Sequence, residues 1–244
     1  MYILEAFMEK NLCRSFFRWR YGYYHSMNSI SLLVMDMAQE QVSIHNNADM
    51  DHGKQMSLDR GAALAPSLLL IGASQFLLLL VAAEALYPGY SVATNAISDL
   101  GVGETAVIFN TSIVIFGAAS FAAAYLLRSR PGRLLPVCMA FAGIGAICVG
   151  LFPETLGLPH YLSALTAFLF GGIAAIVSSQ QARMPFALLF VLLGAVTLTA
   201  LVLEIANLTL GLGHGGMERM IAYPIIIWEI VFAGWLAGKA EEMV

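Results

Sequence analysis

Six stretches of this chain are each as long and as apolar as the core of a bilayer demands. That core is about 30 Å thick, and about 20 apolar residues cross it as a helix. The stretches run Pro66–Leu86, Thr105–Leu127, Leu134–Phe152, His160–Ser178, Pro185–Ala206 and Met217–Gly238. In lipid, every backbone donor and acceptor must be satisfied within the protein, and segments of this length do so as helices. The expected fold is therefore all-α: a polytopic membrane protein with six transmembrane helices in one bundle. Composition closes off the alternatives. Only 11% of the 244 residues are charged and 59% are hydrophobic, with mean hydropathy +0.77, whereas soluble domains carry about 25% charged residues. A water-soluble globule is excluded, and so is a disordered chain, because disorder needs low hydrophobicity and high charge. With a net charge of −4 and no long basic run, nucleic acid is not an expected partner. Membrane lipids are.

The basic residues set the expected orientation. Arg60, Arg128, Arg130, Arg133, Arg183 and Lys239 fall on one side of the six-span topology, and Arg219 falls on the other. Loops rich in Lys and Arg stay inside, so both termini are expected in the cytoplasm of a cell-membrane protein. Residues 1–58 read as a weakly structured cytoplasmic extension, 59–240 as the six-helix domain and 241–244 as a tail. The start of the chain lacks the apolar run and small-residue cleavage site of a secretory signal. Cys13, Cys138 and Cys148 show no paired spacing and give no disulfide framework.

The acids are distributed in the reverse sense. Glu84, Asp99, Glu154, Glu204 and Glu218 are expected at the outer side, together with His160, His214 and Arg219. Glu229 is the exception. It lies about 16 Å below Glu218 at about 1.5 Å per residue, close to mid-membrane. Glu218, Ala222, Ile225 and Glu229 are spaced as one helical face. A carboxyl at such depth costs roughly 2.5–3.5 kcal/mol on insertion scales, so it should turn inward to a partner or water. Thr197, Glu204 and Asn207 share a face of the fifth span by the same arithmetic. His160, Ser163, Ala167, Gly171, Ala174 and Ser178 form a stripe in the fourth, and such stripes let helices approach closely. Gly234 and Gly238 make a further small-residue pair.

Two loops stand out. Residues 87–104, YPGYSVATNAISDLGVGE, contain one apolar turn, expected as a short interfacial helix capped by Asn95 and ended by Gly101. Residues 211–219, GLGHGGMER, read as a glycine-rich turn whose backbone can approach other groups closely. Arg219, at the start of the sixth helix, is disfavoured by the helix dipole and needs an acid. Asp99 is the expected partner, which would tie the first loop over the bundle mouth.

Four pieces taken in order, ISDLG at 97–101, IFN at 108–110, GLFPE at 150–154 with His160, and GGMERMIAYPIIIW at 215–228, carry a resemblance. The set resembles the prokaryotic, largely archaeal, six-span membrane family known as domain of unknown function 998. The resemblance spans roughly residues 65–240. It implies a compact six-helix membrane domain and brings no established activity. The general shape is also similar to eukaryotic membrane proteins of the Frag1/DRAM type, an analogy of fold that carries over no catalytic residue.

Three functions fit these residues. The first is binding of a lipid or small amphiphile in an outward-facing polar cavity, with Glu84, Asp99, Glu154, His160, Glu204, His214, Glu218, Arg219 and Glu229 as candidate site residues. The second is a membrane-embedded lipid-modifying hydrolase using the same His/carboxylate cluster. The third is a proton- or ion-coupled transporter using Glu229 and Glu204. No HExxH or HxxxH lies on any span, and no cofactor or metal is expected from sequence.

Overall fold

The computed structural model describes residues 39–40, 64–129 and 132–241. Most of the expected extension over residues 1–58 lies outside the described residues. Six long helices follow one another: α1 (Leu64–Leu86), α2 (Ala106–Leu127), α3 (Leu134–Leu151), α4 (Leu158–Ser178), α5 (Phe186–Ile205) and α6 (Gly213–Glu241). No strand occurs among the described residues. All six helices are long and apolar enough to cross a membrane. The sequence places their edges well except at α6, which begins a full turn before Met217. The run Gly213-His-Gly-Gly is the first turn of that helix and not a loop.

Helices adjacent in the chain pack against each other from α2 to α6, and α4 also touches α6. Small residues decide where backbones meet. A Cβ at Gly117 would strike the Gly143 carbonyl of α3, and a Cβ at Gly143 would strike the Gly117 carbonyl of α2. The expected α4 stripe is a helix–helix interface. Ser163 and Ala167 offer their backbone to Gly145 of α3, and Gly171 lies against Ile225 of α6. The Gly234/Gly238 pair differs, since neither glycine faces any neighbour.

The bundle has two ends. At the end carrying Arg128, Arg133, Arg183 and Lys239, the core is aromatic. Trp228, Phe232 and Trp235 stack at 5.5 and 5.7 Å, with Phe190 edge-on to Phe232. The Trp228 indole N–H, which a buried site must satisfy, donates to Ser178 Oγ at 2.9 Å. Toward the acidic end a second core forms around Phe76, Phe109, Leu80, Leu100 and Ile226. Outward faces carry large apolar residues such as Ile71, Leu78 and Val107, 66%, 70% and 78% exposed. In water a surface this greasy would drive association; in lipid it is the solvated face.

Candidate functional site

At the acidic end the segment 87–105 forms a strap across the bundle mouth, and α6 holds it. Arg219 is 5% exposed and makes five hydrogen bonds. One guanidinium nitrogen donates to the carbonyls of Val92, Asn95 and Gly215 at 3.1, 3.2 and 2.7 Å. The other donates to Glu84 Oε1 at 2.5 Å and to the Tyr90 hydroxyl at 2.6 Å. Tyr90 passes its own hydrogen to the Ala96 carbonyl at 2.8 Å. Burial pushes the Tyr90 phenol up to about 12, against the pull of Arg219, so it remains a donor at any physiological pH. Next along α6, Glu218 Oε2 accepts the Ile97 N–H at 2.6 Å. The Gly215 N–H donates to the Ala93 carbonyl at 3.2 Å.

The partner of Arg219 is thus Glu84 and not Asp99. The bundle brings the C-terminal end of α1 beside α6, while Asp99 turns back on its own segment. Its Oδ2 accepts from Asn95 Nδ2 at 2.9 Å and from the Ala96 N–H at 3.1 Å. Asn95 caps no helix either. The apolar turn is a 3-10 turn over Ser98–Gly101 entered from Ile97, and Asn95 Oδ1 instead accepts the Ser91 N–H. A side chain from α2 anchors that turn, since Asn110 Nδ2 donates to the Gly101 carbonyl at 3.0 Å.

Glu154 meets the strap from the α3–α4 connection. Ser98 Oγ donates to its Oε2 at 3.1 Å, and Asp99 lies against the same carboxyl. Burial raises the Glu154 pKa first, and the Asp99 contact raises it further. The neutral acid is therefore the form that folding favours. Its contribution is complete below the ordinary glutamate value of 4.5 and is lost as pH rises through the raised one. Unfolding followed against pH should show stability falling as pH rises above the ordinary glutamate value. Glu154→Gln stays neutral, still accepts from Ser98 and can donate to Asp99, so it should flatten that fall. An unchanged slope in the variant would assign the pH dependence to another group.

Beneath the strap lies a cavity between α1, α2, α3, α4 and α6. Its volume is about 60 Å³. That is room for a few waters or the end of a small molecule, where ~10–15 Å³ suffices for one water. The expected α6 face is the one that lines it: Glu218, Ala222, Ile225 and Glu229 all border the space. Phe76, Phe109, Phe116 and Phe168, with aliphatic residues such as Ile113 and Ala146, make the remaining wall, so the interior is apolar. Ser98, His160 and Glu218 form its polar roof, and Ser120 and Glu229 its polar floor. His160 is 4% exposed, and its Nδ1 donates to the Phe152 carbonyl at 2.8 Å. The open polar chamber expected from sequence is instead a roofed, aromatic one.

Glu229 is 3% exposed. Its Oε1 lies 2.7 Å from Ser120 Oγ, and that hydroxyl also lies 3.1 Å from the Phe116 carbonyl. A serine has one hydrogen and two acceptors here. A carboxylic acid donating to Ser120 Oγ leaves the hydroxyl free for Phe116 and satisfies both. Glu229 Oε2 has no protein partner and lies beside the cavity.

The remaining candidates stand apart. His214 Nδ1 and Glu204 Oε1 are 3.0 Å apart at the α5–α6 connection, with the histidine side chain 61% exposed. Glu204 therefore does not share a site with Glu229. Thr197 faces inward and donates to the Ile221 carbonyl at 3.0 Å, one turn before Pro224 interrupts α6. Asn207 lies beyond the end of α5 in a left-handed turn, off the face that Thr197 shares. Among the described residues no three His, Cys, Asp or Glu side chains converge as metal ligands. Sequence reasoning missed Tyr90, Ser98 and Ser120. Only Tyr90 carried a signal, as an aromatic in an otherwise polar loop.

Six apolar helices in one bundle, with the ionisable groups drawn to one end and the core, define a multi-pass membrane protein. The chain matches the family described as "Protein of unknown function (DUF998)" over residues 70–235, and it belongs to that family. The matched region holds the strap, the whole latch on α6 and Glu229. No curated protein and no solved structure matches the chain.

Proposed function

We propose that the protein binds a small amphiphile, drawn from the surrounding lipid of a cell membrane, in the cavity beneath the strap. The acidic end faces outward and both termini lie in the cytoplasm, as the distribution of basic residues favours. The observation that carries this reading is Glu229 Oε2, a buried oxygen without a protein partner beside an otherwise aromatic space. A buried acceptor left unpaired costs about 1–3 kcal/mol, and a ligand head that donates to it recovers that cost. The phenylalanine rings fit the apolar body, so the ligand class is a short alcohol or amine with an apolar tail. The strap must open for entry, because its backbone roofs the space. Catalysis as a hydrolase would rest on His160 Nε2 alone, since no three His, Cys, Asp or Glu side chains converge as metal ligands among the described residues. A transporter that pairs Glu229 with Glu204 gains no support, as Glu204 sits with His214.

The test is photolabelling of the membrane-embedded full chain with a diazirine-bearing octanol, mapped by mass spectrometry. Adducts are expected on Glu229 and its cavity neighbours, retained in Glu229→Gln, which keeps an acceptor, and lost in Glu229→Leu. Labelling confined to lipid-facing positions such as Ile71 and Leu78 would overturn the proposal.

A further inference from the structure

We propose a second site, independent of the first: the groove between α5 and α6 at the basic end binds the head group of an anionic phospholipid. The groove encloses about 700 Å³ and is walled by Phe186 and Trp235. Its floor is the bare face of α6 at Gly234 and Gly238, where an added Cβ would meet nothing within 4 Å. Its rim carries Arg183 and Lys239, and no acidic side chain lines it among the described residues. The space is therefore apolar along its length and cationic at one end, the complement of an anionic amphiphile.

Depth supports the same reading. Lys239 Nζ lies 5.2 Å from the centre of the Trp235 ring. Tryptophan and long cationic side chains meet in this way at the level of lipid head groups. The planar fork of Arg183 suits two phosphate oxygens at once, and Lys239 adds a point charge. Basic pockets between transmembrane helices are recurrent sites for anionic head groups. A comparable groove of about 310 Å³ lies between α2 and α3, beside Arg128 and Arg133. There, however, the Arg128 guanidinium is already stacked 3.6 Å above Tyr125 and bonded to the Tyr125 carbonyl. The α5–α6 groove is the larger of the two, and Lys239, though it lies beside Trp235, makes no hydrogen bond there like that of Arg128 among the described residues.

The experiment is native mass spectrometry of the full chain released from nanodiscs containing equal phosphatidylglycerol and phosphatidylcholine. The wild type should retain phosphatidylglycerol preferentially. Each juxtamembrane charge is worth about five-fold in affinity, so Arg183→Gln/Lys239→Gln should lower that preference about 25-fold. Gly238→Leu fills the groove with both charges intact and should abolish the preference as well. Equal retention of the two lipids by the wild type, or wild-type preference in both variants, would overturn the site. Displacement of the lipid by inorganic phosphate alone would overturn the lipid as its ligand.

Discussion

Replacing Arg219 by alanine should cost more stability than any other single charge removal in the protein. Its side chain is 6% exposed and that of Glu84 16%, so the pair is sealed from solvent. Breaking such a pair from one side leaves a buried, unpartnered charge and typically costs about 3–5 kcal/mol. Arg219→Ala also strips a donor from Tyr90 and from the Val92, Asn95 and Gly215 carbonyls. The measurement is denaturant unfolding in mixed micelles, completed as a double-mutant cycle. Arg219→Ala and Glu84→Ala together should cost clearly less than the sum of the single losses. Asp99→Asn makes the comparison: Asp99 reaches Arg219 only through Asn95, so its coupling to Arg219→Ala should be smaller than that of Glu84→Ala. Arg219→Lys should recover the charge on Glu84 but little of the carbonyl fork, because an ammonium cannot reach five acceptors in one plane.

The second large effect is expected at Gly215. The strap backbone lies directly on the first turn of α6, and a Cβ at Gly215 would collide with the carbonyls of Asn95 and Val92. A flexible side chain could yield to such a collision; two backbone carbonyls held by Arg219 cannot. Gly215→Ala should therefore cost at least the ~1–3 kcal/mol of an overpacked core. It should also release the strap, and so increase proteolysis within residues 91–97 while α2 to α5 stay protected. Gly213 raises the same demand in another way, with φ +75 and the Ala93 carbonyl against it. Gly234→Ala makes the internal control, because a Cβ there, on the same helix, would meet nothing within 4 Å. Equal losses at Gly215 and Gly234 would contradict the close backbone contact.

The two sets of residues show what a sequence carries and what it withholds. The spans are legible because lipid forces long apolar helices, and nothing else in the chain imitates them. The cavity face of α6 is legible too, because Glu218, Ala222, Ile225 and Glu229 lie on one helix and 3.6 residues per turn settles which share a side. Pairing across helices is a different matter. Glu84 and Arg219 are 135 positions apart, and their meeting depends on how α1 leans on α6, which no periodicity encodes. The glycines of 211–216 look like a turn, yet most of them begin a helix. Gly213 and Gly215 are small because another backbone rests on them. Ser120 gives no warning at all, being one hydroxyl in an apolar span. The polar chamber expected at the outer side dissolves for a related reason: most of its charges are spent in closing the strap, and of those bordering the interior space Glu229 keeps an oxygen without a protein partner.

That closure is the claim on which the rest depends, and amide hydrogen exchange in the membrane-embedded protein measures it directly. The Ile97 N–H, held by Glu218 at 2.6 Å, and the Gly215 N–H, held by the Ala93 carbonyl, report on the two sides of the latch. In the wild type both should exchange as slowly as amides within α6. In Arg219→Ala, exchange should accelerate across residues 91–97 while the middle of α6 remains protected. Wild-type exchange at Ile97 as fast as in an unrestrained loop would mean that the strap is not latched, and that Glu229 lies under no roof.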